Sequence, residues 1–143
     1  METIIRKERT TEPPYSLHDA YLVELVPEGD SVRLRFQGGF LRVPDLCPVD
    51  GEIRITGLDW TFCCAYVLEY QDVLCGNCGR FTGRKMSIPE FLERCPGGTV
   101  DVMEEMYGYN QVWIGGFLNY GSKCYEIRLE FYYAGDFCYL LRE

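Results

Sequence analysis

The chain has 143 residues, enough for one domain with a sizeable core, and its ordinary charged share of 25% excludes a disordered chain. Its net charge of −8, from 22 acidic and 14 basic residues, disfavours nonspecific binding to nucleic acid or to an anionic membrane, because both reward a positive field. The same charge suits solubility and a basic protein partner.

Residues 1–16 are polar and run to Pro13-Pro14, which reads as a loose, strap-like lead-in. Met1 to Arg9 carry no apolar stretch of signal-peptide length, so a reduced, cytoplasmic setting is expected. The eight cysteines are then free or metal-bound thiols rather than bridges. The longest apolar run, 62–68, is far short of a membrane span.

From residue 20 onward apolar and polar residues alternate with a period of two, the pattern of strands with one buried and one wet face. Residues 20–26 read as a first strand. The turn Pro27-Glu28-Gly29-Asp30 returns the chain into a partner over 32–36. Gln37-Gly38-Gly39 turns again into a strand over 40–43. Residues 44–51, with two prolines and two aspartates, read as a loop, and 52–56 as another strand. The aromatic segment 60–70 predicts a long central strand buried in part on both faces. A turn-rich excursion through Cys75-Gly76-Asn77-Cys78-Gly79 follows, as far as Gly83.

Ser87-Ile88-Pro89-Glu90 predicts a helix start: Ser87 as cap, Glu90 closing a capping box, and Pro89 in the first turn. Pro96-Gly97-Gly98 ends the helix. Residues 100–107 fit strand and helix patterns alike and are taken as strand. Strands over 111–118, 124–133 and 137–141 complete the chain, joined by hairpin turns at 119–122 and 134–136. About nine strands with one short helix near 88–95 predict a mainly β, antiparallel sandwich or flattened barrel, one β-rich domain over 1–143.

The chemistry-bearing residues are few. Cys75 and Cys78 have the spacing of a zinc-binding pair, yet zinc needs four ligands and no second C-x-x-C exists. Cys47 and Cys95 are the remaining candidates, whereas Cys63 and Cys64, adjacent in a strand, face opposite sides. No cofactor is expected, zinc being the alternative. His18, the one histidine, stands next to Asp19. Neighbours in a strand point apart, so a structural role bonded to backbone is expected before an acid–base dyad. Tyr107, Tyr109, Asn110 and Trp113 gather aromatic and hydrogen-bonding groups beside a glycine turn. That patch suits a protein-binding face or a small-molecule pocket, and core packing is the bland alternative for Trp113. Arg33 and Arg35 share a strand face, where pairing with carboxylates across strands is their usual fate.

Tyr15-Ser16-Leu17-His18-Asp19-Ala20, followed by a strand, a turn and a second strand, resembles the opening of small, uncharacterised bacterial β-proteins with a Leu-His-Asp-Ala segment. Some of these are similar to immunity proteins of bacterial toxin systems. The likeness covers about residues 15–40 and marks His18 and Asp19 as motif positions without assigning them a role. Together these readings favour a non-enzymatic protein-binding β-domain, immunity-like or regulatory. A small-ligand β-fold with an aromatic pocket is the alternative, and a zinc domain the third. Exposed edge strands also make a homodimer an expectation.

Overall fold

In the computed structural model of this chain the backbone is described for residues 2–75 and 78–142, and side chains for the same residues except 71–75, 78 and 124. The strands, in chain order, are β1 (Glu2–Arg6), β2 (Tyr15–Ser16), β3 (Tyr21–Glu28), β4 (Ser31–Gln37), β5 (Phe40–Arg42), β6 (Cys47–Val49) and β7 (Gly51–Ile55). After a 3-10 turn (Trp60–Phe62) come β8 (Cys64–Cys75), β9 (Cys78–Ser87), the helix α1 (Ile88–Arg94), β10 (Thr99–Tyr107), β11 (Gln111–Tyr120), β12 (Lys123–Tyr132) and β13 (Phe137–Arg142).

Ten strands form one antiparallel sheet in the order β1-β13-β7-β4-β3-β10-β11-β12-β8-β9, and β2-β5-β6 form a small second sheet. The large sheet does not close into a barrel, and β1 and β9 are its two edges. It bends at the β3–β10 junction, where only Leu22↔Val100 and Tyr21↔Asp101 pair. Register irregularities sit beside that junction, between Leu22 and Glu24 on one strand and between Val102 and Glu104 on the other. Extra residues of this kind increase local twist and bend a strand. A Cβ on Gly116 would lie 1.9 Å from the Asp101 carbonyl oxygen, so the tight approach of β11 to the irregular stretch of β10 requires glycine.

Two layers result, β1-β13-β7-β4-β3 and β10-β11-β12-β8-β9, with their apolar faces turned inward. Leu25, Leu34, Ile53 and Tyr139 of the first layer share one buried cluster with Val102, Ile114, Leu129 and Phe131 of the second. The Tyr107 ring meets Phe137 across the layers at 5.7 Å. The small sheet caps one end, where Tyr15 and Phe40 pack on Tyr139 at 4.7 and 5.6 Å. α1 sits where β3 parts from β10 and buries Ile88 and Phe91 in the opening. Ser87 caps it as the sequence predicts, its hydroxyl accepting from Glu90 N–H at 3.2 Å. The Glu90 carboxylate lies 3.5 Å from Arg94, one turn on.

Four local expectations are corrected. Residues 1–16 are not a loose lead-in: β1 adds a strand along β13, Lys7 N–H donates to the Phe137 carbonyl at 2.8 Å, and Arg9 reaches the Gly135 carbonyl at 2.6 Å. The loop over 44–51 contains β6, whose three residues are too few to show alternation. Residues 60–62 are a 3-10 turn started by Asp59, which accepts from Thr61 N–H, so β8 begins at Cys64, and it lies next to the sheet edge rather than at its centre. The excursion through residue 83 contains much of β9, where a Cβ on Gly83 would lie 2.5 Å from the Leu68 side chain. The described residues thus hold thirteen strands against the nine expected, the surplus being short or glycine-rich.

Candidate functional site

Alternation on β12 sends Ile127, Leu129 and Phe131 inward and Glu126, Arg128, Glu130 and Tyr132 outward. The register then aligns side chains from different strands on the outer face of the second layer. Tyr66 of β8 faces Lys85 of β9 on one side and Arg128 of β12 on the other. Trp113 of β11 stands between Glu130 of β12 and Met106 of β10. The Arg128 guanidinium lies 4.6 Å from the ring centroids of both Tyr66 and Trp113. Such cation–π contacts are worth about 0.5–1 kcal/mol each at exposed sites. The Nε and Nη2 of Arg128 both donate to Glu130 Oε2, at 2.9 and 2.8 Å. Lys85 extends the row, 5.4 Å from the Tyr66 centroid, and its hydrogen bond to the Tyr66 phenol raises the ammonium pKa above its ordinary value.

Apolar side chains continue this face. Phe62, 63% exposed, packs against Tyr132 at 5.8 Å. Met106 is 48% exposed beside Trp113, and Phe117 is exposed four residues along β11. Between the 3-10 turn and β12 lies a hollow of about 460 Å3 lined by Phe62, Cys64, Lys85, Gln111, Glu130 and Tyr132. Burial raises the Cys64 thiol pKa, and the Glu130 charge adds to the shift. That is the reverse of what a nucleophilic thiol needs. Exposed Asp101 and Glu104 on β10 give the apolar patch an acidic border.

The residues singled out from sequence separate. Trp113 alone lies in the aromatic row, and its indole Nε1 is buried without an acceptor among the described residues. Tyr107 turns inward under Lys7, which lies 4.8 Å from its ring centroid. Its hydroxyl and that of Tyr139 are buried close to each other, and burial pushes both phenol pKa values strongly up. Tyr107 and Trp113 still border one shallow hollow of about 210 Å3 with Met106, Gly108 and Gln111. Tyr109 stacks under Arg9, 5.4 Å from its ring centroid, and the Asn110 carbonyl accepts from Tyr133 N–H at 2.8 Å.

Residues 17–20 form a turn rather than strand, closed by Ala20 N–H donating to the Leu17 carbonyl at 2.9 Å. Leu17 is wholly buried, and its N–H donates to Glu105 Oε2 at 2.6 Å. Asp19, at φ 66°, donates its N–H to the Val102 carbonyl. The expectation that His18 and Asp19 point apart is therefore corrected: turn geometry brings Nδ1 and Oδ2 to 3.1 Å, both side chains standing in solvent. His18 N–H donates to Ser16 Oγ at 3.2 Å.

The Cys75 and Cys78 side chains lie outside the described residues. Among the described residues no three His, Cys, Asp or Glu side chains converge as a metal site, and Cys47, Cys63, Cys64, Cys95 and Cys138 are free thiols. Cys63 enters the core while Cys64 lines the outer hollow, on opposite sides as the strand period requires.

Nothing in the sequence singles out Tyr66, Arg128, Glu130 or Phe62. The alternation gives each residue its side of a strand. The partners it meets there depend on the strand order, because β8, β12 and β11 are neighbours only in the folded sheet. Among the described residues no helix is long and apolar enough to cross a membrane. Neither the models of protein families, nor the curated proteins, nor the solved structures include a match to this chain.

Proposed function

We propose that this chain is a non-enzymatic protein-binding β-domain that docks its partner on the outer face of β9-β8-β12-β11-β10. The observation that carries the reading is the row Lys85–Tyr66–Arg128–Trp113, continued by exposed Phe62, Tyr132, Met106 and Phe117. Trp, Tyr and Arg are the residue types that dominate binding hot spots, and here they are held in place by one another before any partner arrives. The partner is a protein that sets basic side chains around an apolar contact, matching the acidic border at Asp101 and Glu104 and the net charge of −8. An immunity-like or regulatory role in a bacterial cytoplasm, the class implied by the Leu17-His18-Asp19-Ala20 resemblance, is a binding function of this kind.

Capture from reduced native lysate at low salt tests the reading, with wild-type, Trp113→Ala and Arg35→Ala chains as parallel baits. Arg35 lies on the outer face of the other layer. One stoichiometric protein should bind wild type and Arg35→Ala alike, fall at least about tenfold on Trp113→Ala, and elute as salt rises. Equal capture on all three baits would remove the proposed face from consideration.

A further inference from the structure

The two edges of the large sheet are unlike. β9 carries Arg84 and Lys85 along its exposed length, and charged side chains are a common guard against edge-to-edge pairing. β1 reads Glu2-Thr3-Ile4-Ile5-Arg6, with no lysine, proline or bulge, and its central Ile4 is 53% exposed. The hydrogen-bonding phase of β1 follows from one bond. Lys7 N–H donates to Phe137 O at 2.8 Å, in line with the register that pairs Arg6 with Cys138. Backbone polar groups alternate in direction along an antiparallel strand, so Thr3 and Ile5, like Lys7, turn theirs toward β13. The N–H and C=O groups of Glu2, Ile4 and Arg6 therefore point out from the edge.

We infer that β1 pairs with β1 of a second copy of this chain, antiparallel and centred on Ile4, joining two sheets across a two-fold axis. In that register Ile4 opposes Ile4, Glu2 opposes Arg6 of the second copy, and Arg6 opposes Glu2. Each of these pairs has its backbone groups facing outward and exchanges a reciprocal set of hydrogen bonds. The side chains agree with the backbone. Glu2, Ile4 and Arg6 share the outer face, which places a carboxylate against a guanidinium on either side of an apolar centre. On the inner face Thr3 meets Ile5. The sequence of β1 is thus its own complement when reversed, as an isologous interface demands. Arg6 reaches Glu8 at 3.0 Å and Asp136 at 3.8 Å within its own chain, and both pairs are solvent-exposed and exchangeable. The inference is independent of the aromatic face, which lies on the other layer.

Sedimentation equilibrium of the full chain across micromolar concentrations tests it, using charge reversals at β1. Wild type should dimerise reversibly. Glu2→Arg and Arg6→Glu should each weaken the dimer by about tenfold or more, because the axis repeats the repulsion on both sides. Each should stay folded by circular dichroism, both positions being exposed. The double reversal Glu2→Arg/Arg6→Glu should restore the dimer. A mixture of the two single variants should form a heterodimer that neither forms alone. Ile4→Pro removes an outward N–H that β13 does not use, and it should leave a folded monomer. A wild-type chain that stays monomeric overturns the inference, and so does a dimer that all these variants leave unchanged. Pairing of β1 with a peptide of another protein, without self-association, would overturn it equally.

Discussion

The two outer faces of the folded sheet follow the same alternation and end up with opposite character. On the first layer the Glu52 carboxylate, its side chain 10% exposed, has Arg142 at 2.6 Å, Arg35 at 3.5 Å and Arg33 at 3.9 Å. Arg35 also reaches Glu24 at 3.1 Å and Arg33 reaches Glu28 at 3.0 Å. The cations of this ladder are answered by carboxylates of their own face, as expected for Arg33 and Arg35 from sequence. On the outer face of the second layer Arg128 pairs with Glu130, while Trp113, Phe117, Met106, Tyr132 and Phe62 leave apolar surface toward solvent. On the first face Glu52 gathers Arg33, Arg35 and Arg142 into internal charge pairs. The other holds ordered aromatics and leaves them uncovered, which is the feature expected of a surface that another protein completes.

Removing an anchor should break the contrast most. Trp113→Ala is expected to cost the partner complex about 2 kcal/mol or more, roughly a thirtyfold loss of affinity by titration calorimetry. Chain stability should change less, because Trp113 is only partly buried. Glu52→Ala should do the reverse. It leaves three guanidiniums without their shared carboxylate and should lower unfolding stability by about 2 kcal/mol in urea titrations, discounted from a fully buried pair because the arginines are partly exposed. Partner affinity should not move.

The seam between the layers responds to pH. Burial raises the Glu105 pKa above the ordinary 4.5, with the Leu17 N–H bond opposing the shift. The folded chain therefore holds this proton to higher pH than the unfolded chain does. The resulting stabilisation is complete below the unfolded value and is lost as pH rises through the folded one. Glu105→Gln keeps an acceptor for Leu17 and removes the titration. The stability of wild type relative to this variant should fall as pH climbs above 4.5, measured by thermal melts at several pH values. The smallest effect belongs to Arg35→Ala, within about 0.5 kcal/mol, since Glu52 keeps Arg142 and Arg33.

Much of the fold was legible because its signals are local. The period of two at 32–36 and 125–131, the cap at Ser87 and the turn at Gly29 all act within a few residues, and each lies where expected. β1 and β6 were not legible, since strands of five and three residues carry too little alternation to stand out from a polar strap or a proline loop. The face was half legible. Trp113 stands out by its residue type, while Arg128 and Tyr66 acquire meaning only once β8, β12 and β11 lie side by side. The closeness of His18 and Asp19 is not legible for a related reason, because a turn at Leu17–Ala20 replaces the strand geometry that alternation implies.

Site-specific photo-crosslinking reads in one experiment which outer face meets the partner. A photoreactive phenylalanine analogue replaces Met106 on the aromatic face, and in a separate chain Arg35 on the charge ladder. Irradiation in reduced native lysate should join the chain to one basic protein from position 106 and leave position 35 without that adduct. Crosslinking to that protein from position 35 alone, or adducts from 106 only with a second copy of the chain, would contradict the account.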